Sequence, residues 1–333
     1  MLKLSTIVRL VYVLVFSLTL LALCGIVLLL VSKSIILGAA ERRIATETTK
    51  PFPVSVNVHT KTIAENVTVN QFYHNTLAID PRSTDHWWNK VAAAFSDKHW
   101  YQNLASPVSR IAVIWPGERK EEVSKHMSDI LHWGKAEREE FMRLMDTSAP
   151  ILSEGKYFPG QYVTHKGATP LDMYTLISNS FQTTILNHYT TEVRNQVPLE
   201  DALIIASLIE REASDFDNMR EVSGVIWNRL FNNMPLQLDA TLQYVKGSSP
   251  YQSVWWPLVQ PADKYLESPF NTYKYDGLPP APIANPSAEA ILAALNPVIT
   301  DCLFYFHDKK NYYCSPTYEE HVSKLRSLYG RGS

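Results

Sequence analysis

Two glutamates, Glu210 and Glu212, lie near the end of a largely apolar stretch, LEDALIIASLIEREAS, that runs from Leu199 to Ser214. Pro198 suits a helix start, and Glu200 and Asp201 in the first turn complement the helix dipole. At about 3.6 residues per turn, Ile205, Leu208, Ile209 and Glu212 share one face, while Leu203, Ala206, Glu210 and Ala213 share another. A helix that is greasy on both faces is predicted to be buried. Carboxylates on it need a reason, because a desolvated charge is costly unless paired. One reason is structural: a glutamate paired with an arginine such as Arg211 or Arg229. The other is catalytic: burial raises a carboxyl's pKa and keeps it protonated as a general acid. The helix alone leaves both open.

Other chemistries find less support. The ten histidines show no H-E-x-x-H or similar spacing, so no metal is expected, and glycine loops that cradle phosphates are absent. A net charge of −2, from 31 basic and 33 acidic side chains, argues against nucleic acid as a partner. Eight Trp, 17 Tyr and 12 Phe fit a buried core and equally fit stacking on sugar rings. Cys302 and Cys314 flank LFYFHDKKNYY, a predicted hairpin around Asp308–Asn311; a disulfide across it and two free buried thiols are both open.

Leu10–Val31 carries no charge and is long enough to span a bilayer. A cleaved signal peptide fits less well, since the run is too long and no A-x-A-like site ends it. Lys3 and Arg9 precede the span while Lys33, Arg42, Arg43 and Lys50 follow it, a count that leans against an inward N-terminus. A linker at 32–52 leads to VSVNVH (Val54–His59), which alternates like a strand, and to a helix near 86–95. Arg110–Trp115 reads as a strand closed by Pro116-Gly117, with helices near 118–132 and 135–146. A turn-rich segment, Ser153–Tyr162, precedes one long helix from about Pro170 to Asn195. Beyond the glutamate helix lie an amphipathic helix, Met219–Asn232, and a proline-set loop, Ser268–Ser287, carrying Asn271, Tyr273 and Asn285. Such a loop either holds polar groups around a groove or wraps the core.

The series ASLIEREAS, VIWNRL, MPLQLDATLQY, SPFNTY, GLPPAPIANPS and AALNP, in that order, resembles the endolytic murein transglycosylase (YceG-like) family from about Ile111 to Leu328. The resemblance implies an α+β chain with a single transmembrane helix, a LysM-like α/β module and a lysozyme-like, mainly helical catalytic domain. The expected divisions are a cytoplasmic tail at 1–9, the span at 10–31, the linker at 32–52, a divergent LysM-like region at 53–150 and the catalytic domain at 151–333. Where the family has Gly after GLPP this chain has Ala281, and its NPG is Asn285-Pro286-Ser287.

In the family's E-K-E-T pattern the second glutamate is the catalytic acid, which here is Glu212; Glu210 is expected to support the site. Gln237, Asn271, Tyr273 and Asn285, the polar members of the matching loops, are the expected substrate contacts. The implied reaction is non-hydrolytic cleavage of peptidoglycan between MurNAc and GlcNAc, leaving 1,6-anhydroMurNAc ends. It needs no cofactor, no metal and no second carboxylate. The implied setting is the cytoplasmic (inner) membrane, with residues 32–333 outside the cytoplasm and cell-wall synthases as candidate partners. Two other readings stand beside it. One is a hydrolytic muramidase using Asp239, a residue more simply read as a helix N-cap. The other is a catalytically weak, wall-binding scaffold.

Overall fold

The structure is a computed structural model that describes residues 15–17, 19–20, 50–77, 109–150, 152–308 and 311–330. The expected span at 10–31 falls mostly outside them; residues 15–17 and 19–20 are helical, with Val15, Phe16 and Leu20 exposed. No helix among the described residues is long and apolar enough to cross a membrane. The helix expected near 86–95 also lies outside the described residues.

The elements in chain order are β1 (Val56–Asn57), β2 (Thr62–Ile63), α1 (Val69–Phe72, extended by a π turn at Tyr73–Leu77), β3 (Ser109–Ile114), α2 (Lys120–Leu131), α3 (Lys135–Thr147) and β4 (Gly160–His165). Then come α4 (Pro170–Phe181, with a π turn at Gln182–Leu186), α5 (Thr191–Gln196), α6 (Leu199–Glu212), α7 (Phe216–Phe231), α8 (Asp239–Gly247) and α9 (Ala288–Leu295). A hairpin, β5 (Phe304–Asp308) and β6 (Asn311–Ser315), and the helix α10 (Tyr318–Tyr329) follow. Each sheet is an antiparallel pair: β1–β2, β3–β4 and β5–β6. The mixture is α+β, dominated by helices.

The glutamate helix is the centre of the core. Leu199 and every residue of α6 from Ala202 to Ile209 are buried, and α7, α8 and α9 pack on it. Helix α9, AEAILAAL, is almost entirely enclosed, and its alanines let neighbouring backbones approach closely. Trp227 of α7 donates its indole N–H to Ala294 O at 2.8 Å. Gly224 of α7 is needed for the same reason, since a Cβ there would lie 2.5 Å from Val298 O. The chain leaving α9 therefore runs tight against α7 on its way to β5.

A second core fills the βααβ unit formed by β3, α2, α3 and β4, with Met127, Phe141, Met145 and Tyr157 at its heart. The strand–turn–helix–helix outline expected at 110–146 is present, and its return strand, β4, pairs with β3 from Ser109↔His165 to Ile114↔Gly160. The unit thus continues past residue 150. Residues 50–57 dock instead on the helical core: Phe52 N–H donates to His188 O, and Ser55 N–H to Leu295 O, both at 2.9 Å.

Two expectations are corrected. The strand read at 54–59 shortens to Val56–Asn57, because the Asn57 side chain accepts from the N–H groups of His59 and Thr60 and turns the chain. The single helix read from Pro170 to Asn195 breaks after Leu186. At that corner His188 contacts Lys50 O through Nδ1, and the buried Tyr189 donates its hydroxyl to Val197 O. No proline or glycine marks the break, so only these long-range contacts reveal it.

Candidate active site

Glu212 is the last residue of α6, where the helix leaves the core and Ala213 turns to extended backbone. Its Oε2 accepts a hydrogen bond from the Tyr305 hydroxyl at 2.9 Å. Glu212 is half-buried, and its burial pushes the carboxyl pKa above the ordinary carboxylate value. The charge of Asp239 adds to that shift, while the Tyr305 bond and Arg211 oppose it without cancelling it. Burial also drives the Tyr305 phenol well above its usual range, so it remains a donor.

Glu210 faces differently. Its Oε2 accepts from Ser287 twice, from the backbone N–H at 2.8 Å and from the hydroxyl at 2.6 Å. The serine that departs from the family's glycine is thus the N-cap of α9 and the partner of Glu210 at once. The Arg211 charge acts on both glutamates. Arg211 lies over the Trp256 ring, 3.9 Å from its centroid. Arg229 donates to Leu303 O and Leu236 O, both at 2.6 Å, and so ties the segment before Gln237 to the strand that carries Tyr305. A hollow of about 580 Å³ lies on the Glu210 side, walled by Tyr73, Phe158, Phe216, Met219 and Ser287; Glu212 is not in its wall. A carboxylate held twice by one serine is anchored.

The four expected contact residues separate into two kinds. Asn271 is fully buried, donating to Lys264 O and Leu266 O and accepting from Tyr273 N–H. Asn285 is fully buried too, accepting from Gly155 N–H and Tyr157 N–H and donating to Glu118 O. Both asparagines spend their hydrogen-bonding groups on backbone and hold loops together. Gln237 and Tyr273 are more accessible, and half-buried Tyr273 lies within electrostatic reach of Glu212. Gln237 is exposed and has φ +51°, a left-handed backbone uncommon for such a residue, fixed by its N–H bond to Thr272 O. The Tyr273 hydroxyl donates to Asp239 Oδ1 at 2.7 Å, and burial followed by that bond raises its pKa.

Asp239 itself is corrected. It is the first residue of α8, preceded by Leu238 at the N-cap, and makes no side-chain cap. Its carboxylate is instead exposed beside Glu212 and held by Tyr273. Thr272 joins the two loops, accepting from Leu238 N–H at 3.0 Å and meeting the Thr241 hydroxyl at 3.0 Å.

Tyr305 was not singled out from the sequence. The only signal was its place in the LFYFHD strand between two cysteines, and those cysteines form a disulfide, Cys302–Cys314, with Cα atoms 5.7 Å apart. Among the described residues no group of three or more His, Cys, Asp and Glu converges as metal ligands would. The arrangement is suited to proton transfer by one half-buried carboxyl of raised pKa.

These features define a helical domain with a half-buried acid at the end of its central helix, together with a βααβ unit. The chain belongs to the YceG-like family, whose model matches residues 57–327. It is 35% identical over 159 residues to the endolytic murein transglycosylase of Bacillus subtilis (strain 168), a match covering 47% of this chain and 42% of that protein. It is 29% identical over 169 residues to the enzyme of the same description from Streptococcus pneumoniae serotype 2 (strain D39), covering 51% and 30%. The chain therefore matches less than half the length of either relative. A solved YceG-like protein from Listeria monocytogenes superposes with a TM-score of 0.55 at 26% identity, covering 65% of this chain and 75% of that one.

Proposed function

We propose that this chain is an endolytic peptidoglycan lytic transglycosylase with Glu212 as its single acid–base residue. The observation that carries the reading is the Glu212 carboxyl, half-buried, raised in pKa and held by Tyr305 at the end of a buried helix. The relatives named endolytic murein transglycosylase support the substrate class. In this reading protonated Glu212 gives its proton to the glycosidic oxygen as the MurNAc C1–oxygen bond breaks. The resulting carboxylate then takes the proton of the MurNAc 6-hydroxyl, whose oxygen closes on C1. The product is a 1,6-anhydro end, and the glutamate returns to its protonated form. Because the nucleophile belongs to the substrate, no protein nucleophile is required, unlike the usual two-carboxylate glycosidase. Gln237 and Tyr273 contact the glycan, while Asn271 and Asn285 shape the loops beneath it.

The substrate's location argues that the catalytic region stands on the extracytoplasmic side of the cytoplasmic membrane, with residues 10–31 as its anchor and a LysM-like role for the βααβ region. Cell-wall synthases are the expected partners. A second reading, hydrolysis with Asp239 activating water, is favoured by one observation: the Asp239 carboxylate is exposed beside Glu212. Mass spectrometry of glycan strands digested by the purified chain separates the cases. Anhydro ends that vanish in Glu212→Gln support the proposal, reducing ends support hydrolysis, and uncut strands leave a wall-binding scaffold. Protease protection of the large region in intact spheroplasts would overturn the topology.

A further inference from the structure

We infer that Tyr305 is a positioning residue for the Glu212 carboxyl: its hydroxyl occupies Oε2, so that Oε1 is the oxygen that gives and takes the proton in both halves of the reaction. The inference rests on the transglycosylase reading and adds a division of labour between the two oxygens.

The geometry begins with what fixes the phenol. Tyr305 lies on β5 opposite Cys314 of β6, and Cys314 is bonded to Cys302 at the base of the hairpin. Helix α7 holds the same segment from the side. Asn228 donates to Thr300 O and Cys302 O at 2.7 and 3.1 Å, Arg229 donates to Leu303 O, and the Tyr312 hydroxyl reaches Glu221 O at 3.4 Å. The Tyr305 and Tyr312 rings are stacked, 5.9 Å between centroids. Since α7 packs on α6, the hydroxyl of Tyr305 has a fixed position relative to the end of α6. The half-buried phenol donates its hydrogen to Glu212 Oε2. The acid's own hydrogen then belongs on Oε1.

The groups facing Glu212 from each neighbouring element define the balance. Burial and the Asp239 carboxylate of α8 favour the protonated acid; Tyr305 of β5 and Arg211 of α6 favour the ionised form. Tyr273 holds Asp239, Arg229 of α7 acts on both Tyr273 and Tyr305, and the His307 ring lies 5.9 Å from that of Tyr305. The Tyr305 bond strengthens when Glu212 ionises, because its acceptor then carries charge. Tyr305 therefore eases proton donation in the first half and fixes which oxygen receives the proton in the second.

The test is Tyr305→Phe, read by carbon-13 NMR titration of the Glu212 carboxyl and by the pH dependence of kcat/KM on glycan strands. The Glu212 resonance is the one absent from Glu212→Gln. Losing a hydrogen bond to a charged group should raise the carboxyl pKa by roughly one unit or more. The alkaline limb of the profile should move upward with it, and kcat should fall because the proton is no longer confined to Oε1. A uniform loss of activity with an unmoved limb and an unmoved carboxyl pKa would overturn the inference. If Tyr305→Phe does not fold, 3-fluorotyrosine at position 305 keeps the shape and strengthens the donor. It should lower the Glu212 pKa, and an unchanged value overturns the inference equally. The NMR arm needs no turnover, so the two readings fail separately. A shifted pKa without anhydro product from the unaltered chain sinks the transglycosylase reading alone. Anhydro product with an unshifted pKa sinks the role of Tyr305 alone.

Discussion

Ser287 holds Glu210 from two directions, since its backbone N–H and its hydroxyl both donate to Glu210 Oε2, at 2.8 and 2.6 Å. The same hydroxyl oxygen accepts from Ala290 N–H and caps α9. One serine therefore fastens the last turn of α6 to the first turn of α9, the two helices that pack most extensively in the core. Glu210→Ala leaves the Ser287 N–H without its acceptor, and a loss of about 2 kcal/mol is expected. Urea denaturation should show it as a lower midpoint at unchanged slope. Glu210→Gln should keep anhydro-end formation in the folded fraction; a folded but inactive Glu210→Gln would move the catalytic role two residues upstream.

The raised pKa of Glu212 makes a claim about stability. Its folded value lies above its unfolded one, so between the two the folded state binds the proton more tightly. Stability is highest below the unfolded carboxylate pKa and falls as pH rises through the folded one. Glu212→Gln removes that cost and should be more stable than the parent at neutral pH. The difference should vanish below about pH 4, where both states of the glutamate are protonated. Paired thermal melts from pH 3.5 to 8 check the sign, and a Gln variant less stable at neutral pH contradicts it.

Asn285 joins the turn after β3, the segment before β4 and the loop before α9 through one side chain. Truncation to Ala leaves the buried N–H groups of Gly155 and Tyr157 unpaired, while Glu118 O keeps the Asn285 backbone N–H, and a loss on the order of 2–4 kcal/mol is expected. Gln237→Ala, at an exposed position, should leave the melting curve unchanged and weaken glycan binding or turnover. A melt unaffected by Asn285→Ala would return that residue to the groove.

The disulfide closes the hairpin that carries Tyr305, over a sequence separation of 12 residues. Replacing both cysteines by serine should cost about 2–4 kcal/mol, the usual range for a loop of this size. Activity per folded molecule should fall less than about tenfold, because Asn228 and Arg229 still hold the strand by hydrogen bonds of ordinary strength. Reducing agent should lower the parent's melting temperature and leave the serine pair unaffected.

Much of the site's backbone could be read directly. The pattern of α6, with apolar residues on both faces and two terminal glutamates, dictated a buried helix ending in carboxyls, and the ordered motifs dictated the family. The strand–Pro-Gly–helix–helix outline is legible for a local reason. Gly117 has φ +80°, a conformation that favours glycine, and a Cβ there would lie 3.1 Å from the Arg211 guanidinium.

Partners across the chain were not legible. Nothing local distinguishes an asparagine that meets substrate from one that staples loops, and Asn271 and Asn285 read identically to Gln237 and Tyr273 until burial separates them. Asp239 sits where an N-cap is expected, yet the helix begins one residue earlier in register and frees its carboxylate for Tyr273. Tyr305 lies 93 residues from Glu212 in sequence. The sequence by itself determined which helix is buried and which carboxyls end it, because periodicity and apolar content act within a few turns. The tertiary structure alone decided which carboxyl is held by Ser287 and which by Tyr305. That choice depends on how α9 and the hairpin pack against α6, and long-range packing leaves no periodic trace in the chain.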